Sequence, residues 1–183
     1  NQEGGKAVSL SGKDGNLVRA RKLMHRSKTD PSQEIDIGYV GAVESINPEL
    51  LLSLEQGGFI PVISPLGVGS DGHAYNINAD TIAGEIASAL HAERLILLSD
   101  IPGVLRDVKD PDSLMTSLTV RQTNELIASG TAEGGMIPKL KACLRGLGGG
   151  VKKAHIIDGL IPHSVLLELF TDTGVGTQIY PDI

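Results

Sequence analysis

The sequence predicts an α/β protein, a three-layer αβα sandwich with a mostly parallel sheet. Short apolar runs typical of buried strands alternate along the 183 residues with stretches whose apolar residues recur every three or four positions, as in amphipathic helices. The 23 glycines cluster at the ends of these predicted elements, where tight turns need them. Because strands that alternate with helices form a parallel sheet covered on both faces, the pattern favours a single continuous αβα domain.

Composition excludes several classes of protein. A net charge of −6 and an aromatic content of 3% argue against a nucleic-acid partner. No run reaches the roughly 18 apolar residues that a membrane span needs. The single cysteine, Cys143, excludes an intrachain disulfide and fits a reducing compartment. We therefore expect a cytoplasmic protein with neither nucleic acid nor a membrane as its partner.

The first 60 residues predict two strands and a helix. Residues 7–11 form an apolar run typical of a strand, and a turn follows at Gly12 and Lys13. A phosphate-binding Walker loop is excluded there, because Ala7 stands where its first glycine should be and Asp14 where its Ser or Thr should be. Residues 25–36 are polar without periodicity and predict a loop. Residues 39–43 suggest a strand or hairpin, and Pro48 opens a short helix.

Residues 59–64 predict a buried strand, and a literal G-x-G-x-x-G follows at residues 67–72. Such a motif binds dinucleotides when a helix begins at its third glycine, which would make the protein a nicotinamide-dependent dehydrogenase. Here polar residues intervene before any helical periodicity starts. We therefore expect a flexible turn.

The polar residues Asn76, Asn78 and Asp80 lie where a strand has ended and a helix begins. Ligands of open α/β sheets bind at such junctions. Either Asn78 or Asp80 can serve as the helix N-cap, which leaves Asn76 and at least one other polar group to face a ligand. The helix itself is predicted from an apolar stripe that consists of Ile82, Ala83, Ile86, Ala87 and Leu90.

The second half of the chain continues the alternation. Residues 94–100 predict the clearest buried strand, which runs into a turn at 101–105 that either cups a ligand ring or is purely structural. A helix at 119–129 is followed by Gly134 and Gly135, which open another helix with Lys139 in its first turn. A cation there opposes the helix dipole unless an anion binds beside it, so Lys139 is a phosphate-site candidate. The remaining predicted elements are a strand at 154–158, a helix at 163–170 and a strand at 176–180.

Four stretches together resemble the acetylglutamate kinases, enzymes of the amino-acid kinase fold: Leu10–Asn16, Asn76–Asp80, Leu97–Leu105 and Gly134–Lys139. The resemblance covers essentially the whole chain. It implies ATP-dependent phosphorylation of the side-chain carboxylate of N-acetyl-L-glutamate, the second step of arginine biosynthesis. ATP and Mg²⁺ are then the expected cofactors, with Mg²⁺ held mainly by ATP oxygens.

The resemblance also implies roles for individual residues. Asn76 and Asn78 would bind the substrate, Lys139 would stabilise the transferring phosphoryl group, and Asp80 would orient the catalytic lysines. Residues 1–92 would form the C-terminal portion of the acetylglutamate-binding lobe and residues 93–183 the ATP-binding lobe. The implied nucleotide-binding residues are Ser99, Asp100, Gly103, Leu105, Gly135 and Met136.

Nothing in the chain matches the family's N-terminal strand, first catalytic lysine, glycine-rich loops and substrate-binding arginine. We therefore expect the chain alone to lack full activity. A non-catalytic nucleotide- or amino-acid-binding module of the same fold is the alternative.

The contexts of His155, Glu168 and Gly174 resemble the arginine site of arginine-inhibited members. The competing interpretation is a histidine beside a helix, a surface glutamate and a turn glycine. The resemblance further implies a homo-oligomer, either a dimer or a hexamer, and a PII-type signalling protein as a partner. The bacterial cytoplasm and a plastid both remain open as the compartment.

Overall fold

The computed structural model describes residues 1–27, 30 and 32–182, and the chain divides into two compact units, Asn1–Ile82 and Ala83–Ile183. The described residues contain five α-helices and ten strands. The helices are α1 (Glu49–Gln56), α2 (Ala79–Ala89), α3 (Val120–Ala128), α4 (Met136–Gly148) and α5 (Ser164–Phe170). The strands are β1 (Ala7–Ser11), β2 (Val18–Arg26), β3 (Glu34–Ile46), β4 (Ile60–Ser64), β5 (Leu66–Gly69), β6 (Ala74–Asn76), β7 (Arg94–Ser99), β8 (Ser117–Thr119), β9 (Lys153–Asp158) and β10 (Thr177–Tyr180).

The first unit contains a two-stranded sheet and a small barrel. Strands β1 and β4 pair in parallel, while β2, β3, β6 and β5 close into a four-stranded barrel. The sequence predicted a buried strand at 59–64, but Ile60 and Val62 of β4 are 56% and 53% exposed. The apolar run indicated the strand correctly, and the prediction of burial was wrong.

The loop predicted at residues 25–36 is shorter than expected, because its two ends belong to paired strands. Strand β2 continues to Arg26 and β3 begins at Glu34, with the two strands paired antiparallel. Residues 28, 29 and 31 lie outside the described residues. Ile35, Ile37 and Tyr39 alternate along the start of β3, but the surrounding residues are polar and exposed, so the predicted loop extended too far into both strands. An ion pair between Lys22 and Asp36 bridges these strands.

The glycine motif at residues 67–72 belongs to the barrel. Gly67 and Gly69 lie in β5, and β6 rather than a helix follows the turn at Gly72, so the dinucleotide interpretation is wrong. The expected flexible turn is also wrong for the residues of β5. A Cβ at Gly67 would lie 2.8 Å from the Cβ of Ala20, so close packing inside the narrow barrel accounts for this glycine.

The second unit is a four-stranded sheet with helices packed against it, in the strand order β7–β9–β10–β8. Strands β7 and β9 pair in parallel, β10 runs antiparallel to β9, and β8 runs parallel to β10. Helix α4 contacts β7 and β9, while α3 contacts α4, β8 and β10. The fully buried side chains at the centre of this core include Leu118, Leu140, Cys143, Ile156 and Ile179.

The predicted α/β class is confirmed, although the parallel pairings are distributed over three sheets. The unit boundary falls inside α2, whereas the predicted lobe boundary lies between residues 92 and 93; that functional division stays a prediction. Among the helices of the described ranges, none has the length and apolarity needed to cross a membrane.

Candidate functional site

A pocket of about 520 Å³ lies in the second unit, beyond the carboxyl end of β7, and is the main candidate site. Its walls come from two stretches, 99–108 and 131–139, that are far apart in sequence. Crevices at the carboxyl ends of parallel strands are the usual ligand sites of α/β proteins. The lining residues that the sequence analysis had singled out are Ser99, Asp100, Gly103, Leu105, Gly135, Met136 and Lys139.

The first wall is the segment that follows β7. At its centre Val104 is 2% exposed, and its backbone N–H donates a 2.8 Å hydrogen bond to Oγ1 of Thr177. The carbonyl of Val104 accepts from the backbone N–H of Met115, also at 2.8 Å. Gly103 has φ +155°, and a Cβ there would lie 2.6 Å from the same Thr177 Oγ1. The segment is therefore fixed on both sides, and a side chain at Gly103 would break the arrangement.

The second wall is the N-terminus of α4. Gly134 has φ +53° and turns the chain. Gly135 occupies the N-cap position and, as a glycine, has no side chain that could accept a hydrogen bond from the first turn of the helix. A Cβ added at Gly135 would meet nothing within 4 Å. Lys139, in the first turn, is partly buried at the pocket wall. The first two helical N–H groups already donate to backbone carbonyls and Pro138 has none, so the helix dipole and the Lys139 ammonium group are what favour an anion at this end of the pocket.

Four further lining residues were missed by the sequence analysis: Val108, Thr131, Ala132 and Glu133. Val108 is an exposed apolar residue in a polar loop, and its isolation from any periodic pattern left no signal. Thr177 was also missed, because its role depends on a hydrogen bond to a residue 73 positions away.

In the first unit, the predicted substrate-binding residues flank the start of α2. Asn76 is exposed at the end of β6. Asn78 is the helix cap, because its Oδ1 accepts from the backbone N–H of Thr81 at 3.0 Å and from its hydroxyl at 3.2 Å. Asp80 lies in the first turn and is partly buried. Of the two cap candidates, the structure therefore selects Asn78.

A hydrogen-bonded tyrosine–aspartate pair stabilises the turn before Asn76. The hydroxyl of Tyr75 donates a 2.5 Å hydrogen bond to Oδ2 of Asp71. That bond lowers the pKa of Asp71, assisted by the N–H of His73, and raises the pKa of Tyr75 to about 12. The pair thus keeps the carboxylate charged and the phenol protonated at neutral pH.

The three residues of the predicted effector site also come together in the second unit. His155 on β9 and Glu168 on α5 have side chains only 4% and 5% exposed, with Nδ1 and Oε1 2.7 Å apart. The other carboxylate oxygen, Oε2, accepts from the backbone N–H groups of Val175 and Gly176 at 2.7 and 3.1 Å. Gly174 has φ +62° beside it. The interpretation of Glu168 as a surface residue is wrong.

No group of three or more His, Cys, Asp or Glu side chains within the described part of the chain is placed to hold a metal ion. Magnesium commonly binds with few protein ligands and several substrate phosphate oxygens. The acidic residues at the pocket, Asp100 and Glu133, are compatible with that mode of binding.

The sequence profile of the amino acid kinase family matches residues 1–158. The chain is 55% identical over 179 residues to the acetylglutamate kinase of Moorella thermoacetica, covering 97% of this chain and 60% of the relative. It thus spans about 60% of the length of the curated relatives it matches. The resemblance predicted from the four stretches is confirmed.

Two solved structures of N-acetylglutamate synthase from Neisseria gonorrhoeae are also similar. The complex with coenzyme A and N-acetyl-glutamate has a TM-score of 0.81 at 27% identity and covers 98% of this chain and 39% of that chain. The complex with coenzyme A and L-arginine has a TM-score of 0.79 at 28% identity and covers 96% of this chain and 38% of that chain.

Proposed function

The chain belongs to the amino acid kinase family, and from this premise we propose that it serves the ATP-dependent phosphorylation of the side-chain carboxylate of N-acetyl-L-glutamate. The observation that carries the proposal is the pocket at the end of β7. It brings the six expected nucleotide-binding residues and Lys139 to one cavity, from two stretches separated by about thirty residues. The similarity to acetylglutamate kinases supplies the substrate.

The pocket has the parts that a nucleoside triphosphate needs. Leu105 and Met136 offer apolar surface to a base, while the glycine turn before α4 lets phosphate oxygens approach the backbone at the positive end of the helix dipole. Lys139 adds positive charge at the same end. ATP supplies the phosphoryl group, with Mg²⁺ on its phosphate oxygens. Because phosphoryl transfer depends on positioning and charge stabilisation, Lys139 is the residue to which we assign stabilisation of the transferring group.

The substrate side of the proposal rests on Asn76, Asn78 and Asp80. Oδ1 of Asn78 is engaged in capping α2, so the NH₂ group of this side chain is the part available to a carboxylate. Asn76 is exposed at a strand end, where its amide can reach a ligand. For Asp80 we propose a positioning role toward the catalytic lysines, as the family resemblance implies.

Calorimetric titration of the chain with Mg-ADP, with NAD as the comparison, tests the nucleotide site. We expect Mg-ADP to bind and NAD not to bind. Lys139→Ala should weaken Mg-ADP binding by about tenfold or more, since a charge-assisted contact to phosphate is lost. Lys141→Ala is the matched control, because Lys141 is exposed on the same helix and does not line the pocket. Binding of NAD alone, or equal losses in both variants, would contradict the proposal.

A second assay follows phosphoryl transfer from ATP to N-acetyl-L-glutamate. Turnover by this chain, or by a longer form that includes it, supports the kinase. Nucleotide binding without turnover in either form supports the non-catalytic binding module instead.

We also propose L-arginine as an effector bound near His155, Glu168 and Gly174. The three residues adjoin one another, and a similar enzyme has been solved with L-arginine. A guanidinium group would have to compete with the Val175 and Gly176 amides for the Glu168 carboxylate. Titration with L-arginine, with L-lysine as the control, tests this assignment, and equal responses to the two amino acids would contradict it.

Three further proposals come from the family resemblance: assembly as a dimer or hexamer, a PII-type signalling partner, and a place in the cytoplasm. Sedimentation velocity of the chain tests the first, and a single monomeric species at micromolar concentration would contradict it.

A further inference from the structure

We propose that Thr177, supported by Glu168, positions the pocket segment around Val104 and thereby sets the affinity of the pocket for its nucleotide. Neither residue lines the pocket, so each would act through the residues it holds. The inference rests on the proposed function of this pocket as the nucleotide site.

The direct link is the hydrogen bond from the Val104 N–H to Thr177 Oγ1. Thr177 is fully buried and Val104 is 2% exposed, so water does not replace this bond if it is lost. A Cβ at Gly103 would lie 2.6 Å from this hydroxyl, so the glycine leaves the space that the hydroxyl occupies. The hydroxyl therefore determines where the centre of the first pocket wall lies.

Glu168 determines where Thr177 lies. Its Oε2 holds the N–H groups of Val175 and Gly176, the two residues that precede Thr177 in the chain. A Cβ at Gly176 would lie 2.4 Å from the carbonyl oxygen of Ile156, so the backbone here is pressed against β9. The entry into β10 is thus fixed by a buried carboxylate on one side and by a neighbouring strand on the other.

His155 completes the series. Its Nδ1 lies 2.7 Å from Oε1 of Glu168, and its Nε2 finds no hydrogen-bond partner among the residues that the structure describes. The contact with Glu168 is therefore the polar interaction that orients this ring. From β9 the bonds run through the α5 carboxylate and residues 175–177 to Val104, without leaving the second unit. The side chains of His155, Glu168 and Thr177 are buried, and the bond between Thr177 and Val104 joins residues 73 positions apart.

The test compares two substitutions of the same kind. Thr177→Val keeps the shape of the side chain, removes the acceptor and leaves the Val104 N–H unpaired. Thr123→Val is the matched control, because Thr123 is also fully buried and its hydroxyl also makes a 2.8 Å bond, to the carbonyl of Thr119 in another part of the unit. Thr177→Ser keeps the hydroxyl and should rescue the function of the site.

We expect Thr177→Val to weaken Mg-ADP binding by about tenfold, the loss typical of one buried hydrogen bond. Thr177→Ser and Thr123→Val should stay within about threefold of wild type, a difference worth less than one hydrogen bond. We expect Thr123→Val to lower the thermal midpoint without lowering affinity for Mg-ADP. If the loss of a buried hydroxyl acted only on the stability of the fold, the two threonine variants would have the same affinity. Equal affinities for wild type and Thr177→Val would overturn the inference.

A ligand-free measurement keeps the inference separate from the proposed function. In Thr177→Val the backbone amide of Val104 should exchange its hydrogen at least about tenfold faster than in wild type. If the wild-type chain binds no Mg-ADP, the proposed function fails. In that case, faster exchange at Val104 in Thr177→Val would still support the role of Thr177 in positioning the segment. Unchanged exchange would overturn that role as well.

Glu168→Leu provides a second variant in case Thr177→Val does not fold. It removes all three acceptor contacts at similar side-chain volume, and Glu168→Gln is its conservative partner because one oxygen remains. We expect faster exchange at Val175 and Gly176 and weaker Mg-ADP binding in Glu168→Leu, with smaller changes in Glu168→Gln. Unchanged affinity in a folded Glu168→Leu variant would overturn the role of this carboxylate.

Discussion

Gly135→Ala is the substitution that separates function from fold most clearly in this protein. The residue has φ −66° and ψ −15°, values that alanine adopts without strain, and the added Cβ would have no atom within 4 Å. Replacing glycine by alanine at such a position restricts the unfolded chain. We therefore expect the free energy of unfolding to rise by about 0.4–1 kcal/mol.

The same methyl group should impair the proposed site. Gly135 lines the pocket at the N-terminus of α4, where phosphate oxygens would approach the backbone. A methyl group there holds an anion away from the backbone at the positive end of the helix dipole, so we expect Mg-ADP binding to weaken by at least about tenfold, equivalent to 1.4 kcal/mol. The variant would then be more stable than wild type and yet bind its nucleotide less well.

Urea unfolding and calorimetric titration measure the two quantities on the same samples. Gly148→Ala is the control, because Gly148 is the last residue of the same helix, is exposed, also has open space where a methyl group would stand and lies outside the pocket. It should leave affinity unchanged. If Gly135→Ala binds Mg-ADP as tightly as wild type, the start of α4 is not the phosphate site.

Three other substitutions test particular contacts. Asn78→Ala should lower the free energy of unfolding by about 1 kcal/mol through loss of the α2 cap, while Asn78→Asp should keep most of it, as urea titration can measure. Tyr75→Phe should destabilise the chain at pH 7 and progressively less as the pH falls below about 4. The Tyr75 hydrogen bond lowers the pKa of Asp71, so it contributes stability above the pKa that Asp71 has in the unfolded chain, and this stability is lost on acidification. Unfolding curves at pH 7 and pH 3 test this. Gly84→Ala should lower the free energy of unfolding by about 1–3 kcal/mol, since its Cβ would lie 2.6 Å from the carbonyl oxygen of Ala142 on α4. A thermal midpoint equal to or above that of wild type would contradict this.

The sequence predicted those parts of the pocket whose chemistry is local. Gly134, Gly135 and Lys139 stand together in the chain, and the strand that ends at Ser99 has an apolar run that periodicity detects. Such signals remain valid whatever the rest of the fold does. The positions of Ser99 and Lys139 relative to each other, however, came only from the structure.

Other features left little or no pattern to read. The β2–β3 hairpin is mostly exposed, and the short alternation of Ile35, Ile37 and Tyr39 in β3 was a weak signal among polar residues. The Thr177–Val104 bond joins residues 73 positions apart through one hydroxyl, and a threonine in a strand is ordinarily explained by strand preference alone. The sequence left Glu168 either at an effector site or on the surface, and the burial of its carboxylate against backbone amides excludes only the surface.

The glycines show how such ambiguities are resolved. A glycine in a sequence can mean a turn, a close packing contact or a close approach by a ligand, and these explanations look alike in one dimension. Gly67, Gly84 and Gly103 are each explained by atoms that a Cβ would strike. Gly135 has ordinary helical angles and open space, so neither backbone strain nor packing requires it. Gly148 is equally open and lies away from the pocket, which means that openness alone does not imply a ligand. Because alanine fits without a clash at both positions, a loss of Mg-ADP affinity at Gly135 alone would be explained by its place in the pocket.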